Sequence, residues 1–272
     1  MGDHGGGADK EVDEDSDILP RFKGLPNIVE GVEDIFSHLQ KRHVYLYPEN
    51  GTHKKWVQPQ IMVLFATGNL SQVVDTVIRD LKHPIGIGLV TSVLVQEPLR
   101  QAIVRRLRNR MELMDERIEN HPNFQNTLKV IDRLNCRTLF MEEYDPADKQ
   151  RLSGVRQPNS PIIVLDFPQI YFGDKPTAIV TLNTFRTLSE AIKLCNREGL
   201  QFDTVSIWTN KLSEGYDMVP ALSRFPNFRF NCINVPFDSK VMVAVRRNYH
   251  YEVLANGGDL TTIVFPIRHY SH

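Results

Sequence analysis

At 272 residues, 41% hydrophobic and 24% charged, the chain has the composition of an ordinary globular protein, long enough for one large or two small domains around a sizeable core. A net charge of -1 and a pI near 6.8 exclude any overall electrostatic pull towards nucleic acid or acidic membranes, so such binding needs a local patch. Cys136, Cys195 and Cys232 stand far apart without ligand spacing, which predicts neither a disulfide framework nor a zinc site and favours a reducing compartment.

The first segment, "MGDHGGGADKEVDEDSD", is acidic and glycine-rich. It has too few apolar side chains to offset the entropy of ordering, so residues 1–22 are expected to be a disordered tail and 23–272 a single domain. The tail has no apolar or arginine-rich targeting pattern, and Gly6 stands where a myristoylation start wants Ser or Thr. No run approaches the ~20 apolar residues of a membrane span. A cytoplasmic protein is the expectation, with the nucleus as the alternative.

From Leu25 the pattern turns periodic. Ile28, Val32, Ile35, Phe36 and Leu39 predict a helix, "HVYLY" a short strand, "PENGTHKKW" a loop and "PQIMVLFA" a buried strand. Next, "NLSQVVDTVIRDLK" predicts a helix with Asn69 or Ser71 as cap, "LVTSVLVQ" a strand, and "EPLRQAIVRRLRNRMELMDERI" one long helix with Leu99, Ile103, Leu107, Met111 and Met114 on its stripe. A helix around Phe124 to Leu134, a strand "RTLFME", a polar loop and strands "PIIVLDF" and "TAIVTLN" follow. "TLSEAIKLCNREG" reads as a helix with a Thr187–Glu190 capping box and a stop at Gly199. The remaining elements are strand "FDTVSIWT", helix "KLSEGYDMVPAL", strand "FNCINV" and strand "LTTIVFPI", with "HPNFQ" and "FPNFRFN" as aromatic-anchored turns or an exposed partner site. Alternating strands and helices mean an α/β fold with a mostly parallel sheet covered by helices on both faces.

The stretch "PQIMVLFATGNLSQVVDTVIRDLKHPIGIGLVTSVLVQEPLRQAIVRRL" resembles the aldehyde dehydrogenase segment in which a buried strand, a helix, the catalytic cysteine loop and a "RVLVQE" strand follow one another. "PQIYFGDKPTAIVTLNTFRTLSEAIKLCNREGLQFDTVSIWT" is similar to that superfamily's "PEIFGPVLPV", "EAI..AN" and "YGLAASVWT" segments. "FNCIN" resembles its "VWVN" strand and "YEVLANGGDLTTIVFPI" its closing segment. The similarity runs in order from about residue 45 to the carboxyl end. The chain also resembles a little-characterised group of insect proteins related to these dehydrogenases.

The resemblance implies a catalytic-domain-like fold and a chemistry that needs a thiolate, an oxyanion stabiliser, a general base and a nicotinamide cofactor. Counting back from Val95 puts Ile87 at the cysteine position, Pro84 and Ile85 at the Gly-Gln pair and Ser92 at an arginine. Ile87 cannot attack a carbonyl, and no cysteine precedes Cys136. Gln169 replaces the glutamate of "PEIFGP", with Phe172 beside it, and Glu49 in "PENGTHKKW" is the loose counterpart of the general base. Only about 45 residues precede the similarity, so the dinucleotide-binding half and its oxyanion-hole asparagine are expected to be missing. No catalytic residue, cofactor or metal is therefore expected, with Glu49, Gln169 and Phe172 the weak candidates for a cofactor contact.

Three functions compete. The first is a non-catalytic protein-interaction module. The second is a binder of a small molecule or nucleotide, or an NAD(P)-linked oxidoreductase, using Glu49 and the "HPIGIG" amides. The third is a nucleic-acid-associated protein working through Arg100, Arg105, Arg106, Arg108 and Arg110, which read more simply as a solvated helix face. Cys195, Cys136 and Cys232 read as small core residues, and His43 and His53 as loop residues. The last strand, "LTTIVFPI", is the part through which subunits join in the resembling family, so a protein partner or a homodimer is expected through it.

Overall fold

The computed structural model describes residues 58–84, 86–144, 152–222, 224–233, 243–246, 249–256 and 259–266, all within the compact unit Gly51–His272. The expected tail 1–22, the helix from Leu25, the strand at 43–47, and Glu49, His43 and His53 lie outside the described residues.

In chain order the elements are β1 (Gln60–Leu64), α1 (Leu70–Lys82), β2 (Val90–Gln96), α2 (Arg100–Arg110), α3 (Glu116–Glu119) and α4 (Pro122–Leu134). Then come β3 (Arg137–Leu139), β4 (Glu142–Tyr144), β5 (Leu152–Arg156), β6 (Ile162–Leu165), β7 (Ile179–Phe185) and α5 (Leu188–Arg197). The last are β8 (Thr204–Trp208), α6 (Leu212–Tyr216), α7 (Met218–Ala221), β9 (Asn227–Phe230), β10 (Val243–Arg246), β11 (Tyr249–Asn256) and β12 (Asp259–Pro266).

Among the described residues ten strands form one sheet in the order β10-β11-β12-β9-β8-β1-β2-β7-β6-β3. From β12 to β6 every pair is parallel, while β3 at one edge and β11 and β10 at the other run antiparallel to their neighbours. The central strands are buried throughout, as their unbroken apolar runs require of strands covered on both faces. On one face Val73, Val77 and Leu81 of α1 and Ile103 and Leu107 of α2 pack on Met62, Leu64, Val93 and Val95. On the other, Ala191 and Cys195 of α5 and Met218 and Val219 of α7 pack on Ile61, Val63, Leu94 and Phe228. This is the expected α/β architecture.

Several local readings need correction. The long helix stops at Arg110, because Met111 turns extended (φ -59°, ψ 138°) and Met114 donates its N–H to Asn159 O at 2.8 Å. Both methionines stay buried, so their apolar spacing misleads about the backbone that carries them. A new short helix starts at Asp115, whose carboxylate caps Arg117 N at 2.8 Å. The polar loop after β3 contains the β4–β5 hairpin, a two-stranded sheet of its own. "FPNFRFN" is not a turn: Phe228 and Phe230 enter the core from β9, and Asn231, at φ 51°, ends that strand before "CINV". The expected helix "KLSEGYDMVPAL" divides into α6 and α7. The last strand, β12, is not an edge, since β9 and β11 bond it on its two sides.

Candidate functional site

The loop before β2 is held by its neighbours. Gln60 Nε2 donates to Gly88 O, Gln60 N donates to Leu89 O at 2.9 Å, and Asp80 Oδ2 accepts from Val90 N at 3.0 Å. Gly88 sits at φ 67°, a conformation that favours glycine, whereas a Cβ on Gly86 would meet only ordinary contacts. Ile87 lies half-buried between them. Burial raises the Asp80 carboxyl above the usual carboxylate range, against the opposing pull of Arg79, which is bonded to it at 2.7 Å.

The thiols lie elsewhere. Cys195 is fully buried on α5 and Cys232 is buried after β9 with its Sγ 3.8 Å from Val264 O; burial pushes each up to about 12. Cys136, half-buried ahead of β3, is also raised by burial. A thiolate is the attacking species, so these shifts oppose nucleophilic use.

Gln169 and Phe172 come together on a single 3-10 turn, Gln169–Phe172, in the connection between β6 and β7 and in contact with α4. Beneath it lies a polar cluster that sequence reading did not find. Glu198, at the end of α5, is 3% exposed, and its Oε1 accepts from Gln169 N at 3.1 Å and from Ser92 Oγ at 3.4 Å. Ser92 Oγ in turn lies 3.1 Å from Thr181 Oγ1 on β7. Among the described residues nothing bonds Glu198 Oε2 or either end of the Gln169 amide, although Gln169 is wholly buried. Desolvation raises the Glu198 carboxyl above its ordinary range, opposed by the amides of Gln169 and Ile170, by Ser92 and by Arg197.

A second polar network runs along the carboxyl ends of the strands. Ala66 N donates to Gln96 Oε1 at 2.7 Å, Thr67 Oγ1 meets Thr209 Oγ1 at 3.1 Å, and Asn210 N donates to Thr67 Oγ1 at 3.1 Å. Asn231 closes the line, its Oδ1 accepting from Thr209 N at 2.9 Å and its Nδ2 donating to Thr209 O at 2.7 Å. The strand order reverses between β1 and β8, the place where open α/β sheets bind ligands. Here the loops after those two strands are tied together, and a Cβ on Gly68 would lie 2.3 Å from Trp208 O. Beside them a cavity of about 300 Å³ is walled by Gln72, Asp75, Thr76, Trp208, Asn231 and Ile233.

The α2 arginines are partly spent within the molecule. Arg100 pairs with Asp166 at 2.8 Å, Arg106 donates to Ser71 Oγ at 2.8 Å, and Arg110 pairs with Asp75, while Arg105 and Arg108 are exposed. Among the described residues no group of three His, Cys, Asp or Glu side chains could hold a metal, and no helix is long and apolar enough to cross a membrane.

The sequence model of a family described as protein of unknown function, DUF1487, matches residues 55–271. The chain belongs to that family. None of the curated proteins matches it in sequence. Among solved structures, this DUF1487 chain is similar to betaine aldehyde dehydrogenase from Staphylococcus aureus, with 13% identity, a TM-score of 0.50, and coverage of 77% of this chain and 43% of that one. It is similar to PnpE in complex with nicotinamide adenine dinucleotide at 13% identity and a TM-score of 0.50, over 68% of this chain and 41% of that one. PnpE is a protein of Pseudomonas sp. WBC-3. Lactaldehyde dehydrogenase from Escherichia coli is 19% identical with a TM-score of 0.46, over 68% and 41% of the two chains. The chain thus spans about two fifths of each of these proteins, from 41% to 43% of their lengths, and shares part of its fold with the betaine aldehyde dehydrogenase and PnpE structures.

Of the three residues that the resemblance assigns to a dinucleotide contact, Glu49 lies outside the described residues and the other two are enclosed. Gln169 is wholly buried and has no surface to offer a ribose, and Phe172 is 5% exposed.

Proposed function

We propose that the chain is a non-catalytic relative of the aldehyde dehydrogenases that acts as a protein-interaction module. The observation that supports this most is the loop before β2: it presents Ile87 between glycines, while Cys195 and Cys232 are buried with their thiols held protonated. Without a thiolate there is no thiohemiacetal to form and no hydride to pass on. The burial of Gln169 points the same way.

Two measurements test the reading on the full chain. Incubation with aliphatic and aromatic aldehydes and NAD+ or NADP+ is expected to yield no reduced nucleotide, and calorimetric titration no nucleotide binding; saturable turnover would overturn it. The partner is expected to be a second copy or a related chain, joined at the sheet edge. Among the described residues the edge on the β12 side of the sheet is β10, because β12 is paired on both sides. Light scattering at micromolar concentration should show a dimer that Val245→Pro dissociates; a monomer in the unaltered chain removes the homodimer from the reading.

A further inference from the structure

The cluster under the Gln169–Phe172 turn supports an inference independent of the function proposed above. Glu198 is buried against β2 and β7, with neutral Ser92 and Thr181 facing it from those strands. The charged groups nearby do not bond its carboxyl. Arg197, on its own helix, is exposed, and Arg224 directs its guanidinium to the main-chain carbonyls of Cys195 and Glu198. The third titratable neighbour is the Cys195 thiol, which Glu198 helps to keep protonated. Glu198 Oε1 accepts from Gln169 N and Ser92 Oγ, and its Oε2 is buried without a hydrogen-bond partner among the described residues.

We propose that Glu198 is a proton-operated latch: protonated, it lies enclosed beneath the Gln169–Phe172 turn, and on losing its proton it makes that turn open to water. An ionised carboxylate enclosed without a bonded cation is strongly disfavoured, and the chain relieves it by hydration where the enclosure is weakest. The strands cannot give way cheaply, since β2 and β7 are both paired on two sides. Helix α5 is anchored in the core through Ala191 and Cys195. The turn is a single 3-10 turn, and its outer residues Ile170 and Tyr171 are 45% and 55% exposed.

Movement of the turn has a surface consequence. Ile170 lies close over Gly199, where an added Cβ would come 2.8 Å from Ile170 Cδ1, and Tyr171 packs edge-on to Phe167 at 6.2 Å between centroids. Opening therefore rearranges an apolar pair that already faces solvent. The direction follows from linkage. Burial raises the Glu198 carboxyl, the largest influence on it, so the closed form binds the proton more tightly than the unfolded chain does. The associated stability is complete below the ordinary carboxylate range and is lost as pH rises through the raised value.

Hydrogen exchange on the full chain between about pH 5 and about pH 9, corrected for base catalysis, tests the latch. Between the ordinary carboxylate range and the raised Glu198 titration, opening coupled to loss of one proton should weaken protection of the Gln169–Phe172 amides about tenfold per pH unit and level off above it, while β1 stays unchanged. Glu198→Gln, which holds the side chain neutral, should remove that dependence. Should this variant not fold, carboxyl carbon NMR of the unaltered chain decides. A glutamate titrating above the ordinary range in step with the turn supports the latch. A pH-independent turn, an equal dependence in Glu198→Gln, or no glutamate titrating above that range would overturn it.

Discussion

The two polar networks of the sheet differ in how completely they are satisfied. Along the carboxyl ends of β2, β1, β8 and β9, Gln96, Thr67, Thr209 and Asn231 bond one another or the loop backbone, and both ends of the Asn231 amide are used. Under the Gln169–Phe172 turn, Glu198 and Gln169 are more deeply buried than Gln96, Thr67 and Asn231, yet the Glu198 carboxyl is only part-bonded and the Gln169 side-chain amide is bonded at neither end among the described residues. A satisfied network fastens the chain in one geometry, whereas an unsatisfied one stores a penalty that protonation or movement can release. The place where this fold type usually receives ligands is therefore the rigid one here, and the responsive one lies on the α5 face.

Breaking the satisfied network should have the largest effects. Gly68→Ala forces a methyl against Trp208 O, a main-chain atom that cannot step aside, and should cost about 3 kcal/mol in urea unfolding. A loss below about 1 kcal/mol would mean that the loops after β1 and β8 are not tied as described. Asn231→Ala removes two hydrogen bonds to Thr209 and leaves a non-glycine residue at φ 51°, so a loss of about 2–3 kcal/mol is expected.

The unsatisfied cluster should behave oppositely. Glu198→Gln removes a charge that burial opposes, so at alkaline pH the variant should match or exceed the parent, by about 1 kcal/mol, with the difference vanishing in acid. If Glu198→Gln is instead least stable at high pH, the ionised carboxylate is a favoured state and the contrast between the networks fails. The smallest effect belongs to the exposed α2 face. Arg105→Glu with Arg108→Glu should change stability by no more than about 0.5 kcal/mol and leave no salt-dependent nucleic-acid binding to lose.

Short-range features were legible in the sequence because their causes are local. Asn69 caps α1 by accepting from Gln72 N at 3.1 Å, and Thr187 caps α5 by accepting from Glu190 N at 3.2 Å, both readable from residue type and spacing. Gln169 was singled out as a residue, but the sequence assigns it to a cofactor contact, whereas the fold buries it. Glu198 passed unnoticed inside "NREG", because its neighbour Ser92 is 106 residues away. The β4–β5 hairpin was missed for another reason. Its strands are largely exposed and lack the apolar alternation that announces a half-buried strand.

What the sequence by itself determined is the alternation of buried strands and amphipathic helices, and the residue types in the loop before β2, where no thiol stands. Those follow from composition and period, which act over a few residues. Only the tertiary structure decided that β12 is an interior strand, that Thr67 meets Thr209 across 142 residues, and that Glu198 is enclosed beneath Gln169. Desolvation and hydrogen-bond pairing depend on neighbours brought from distant parts of the chain, so the same glutamate that reads as a polar helix end becomes, once folded, a buried acid with an unbonded oxygen.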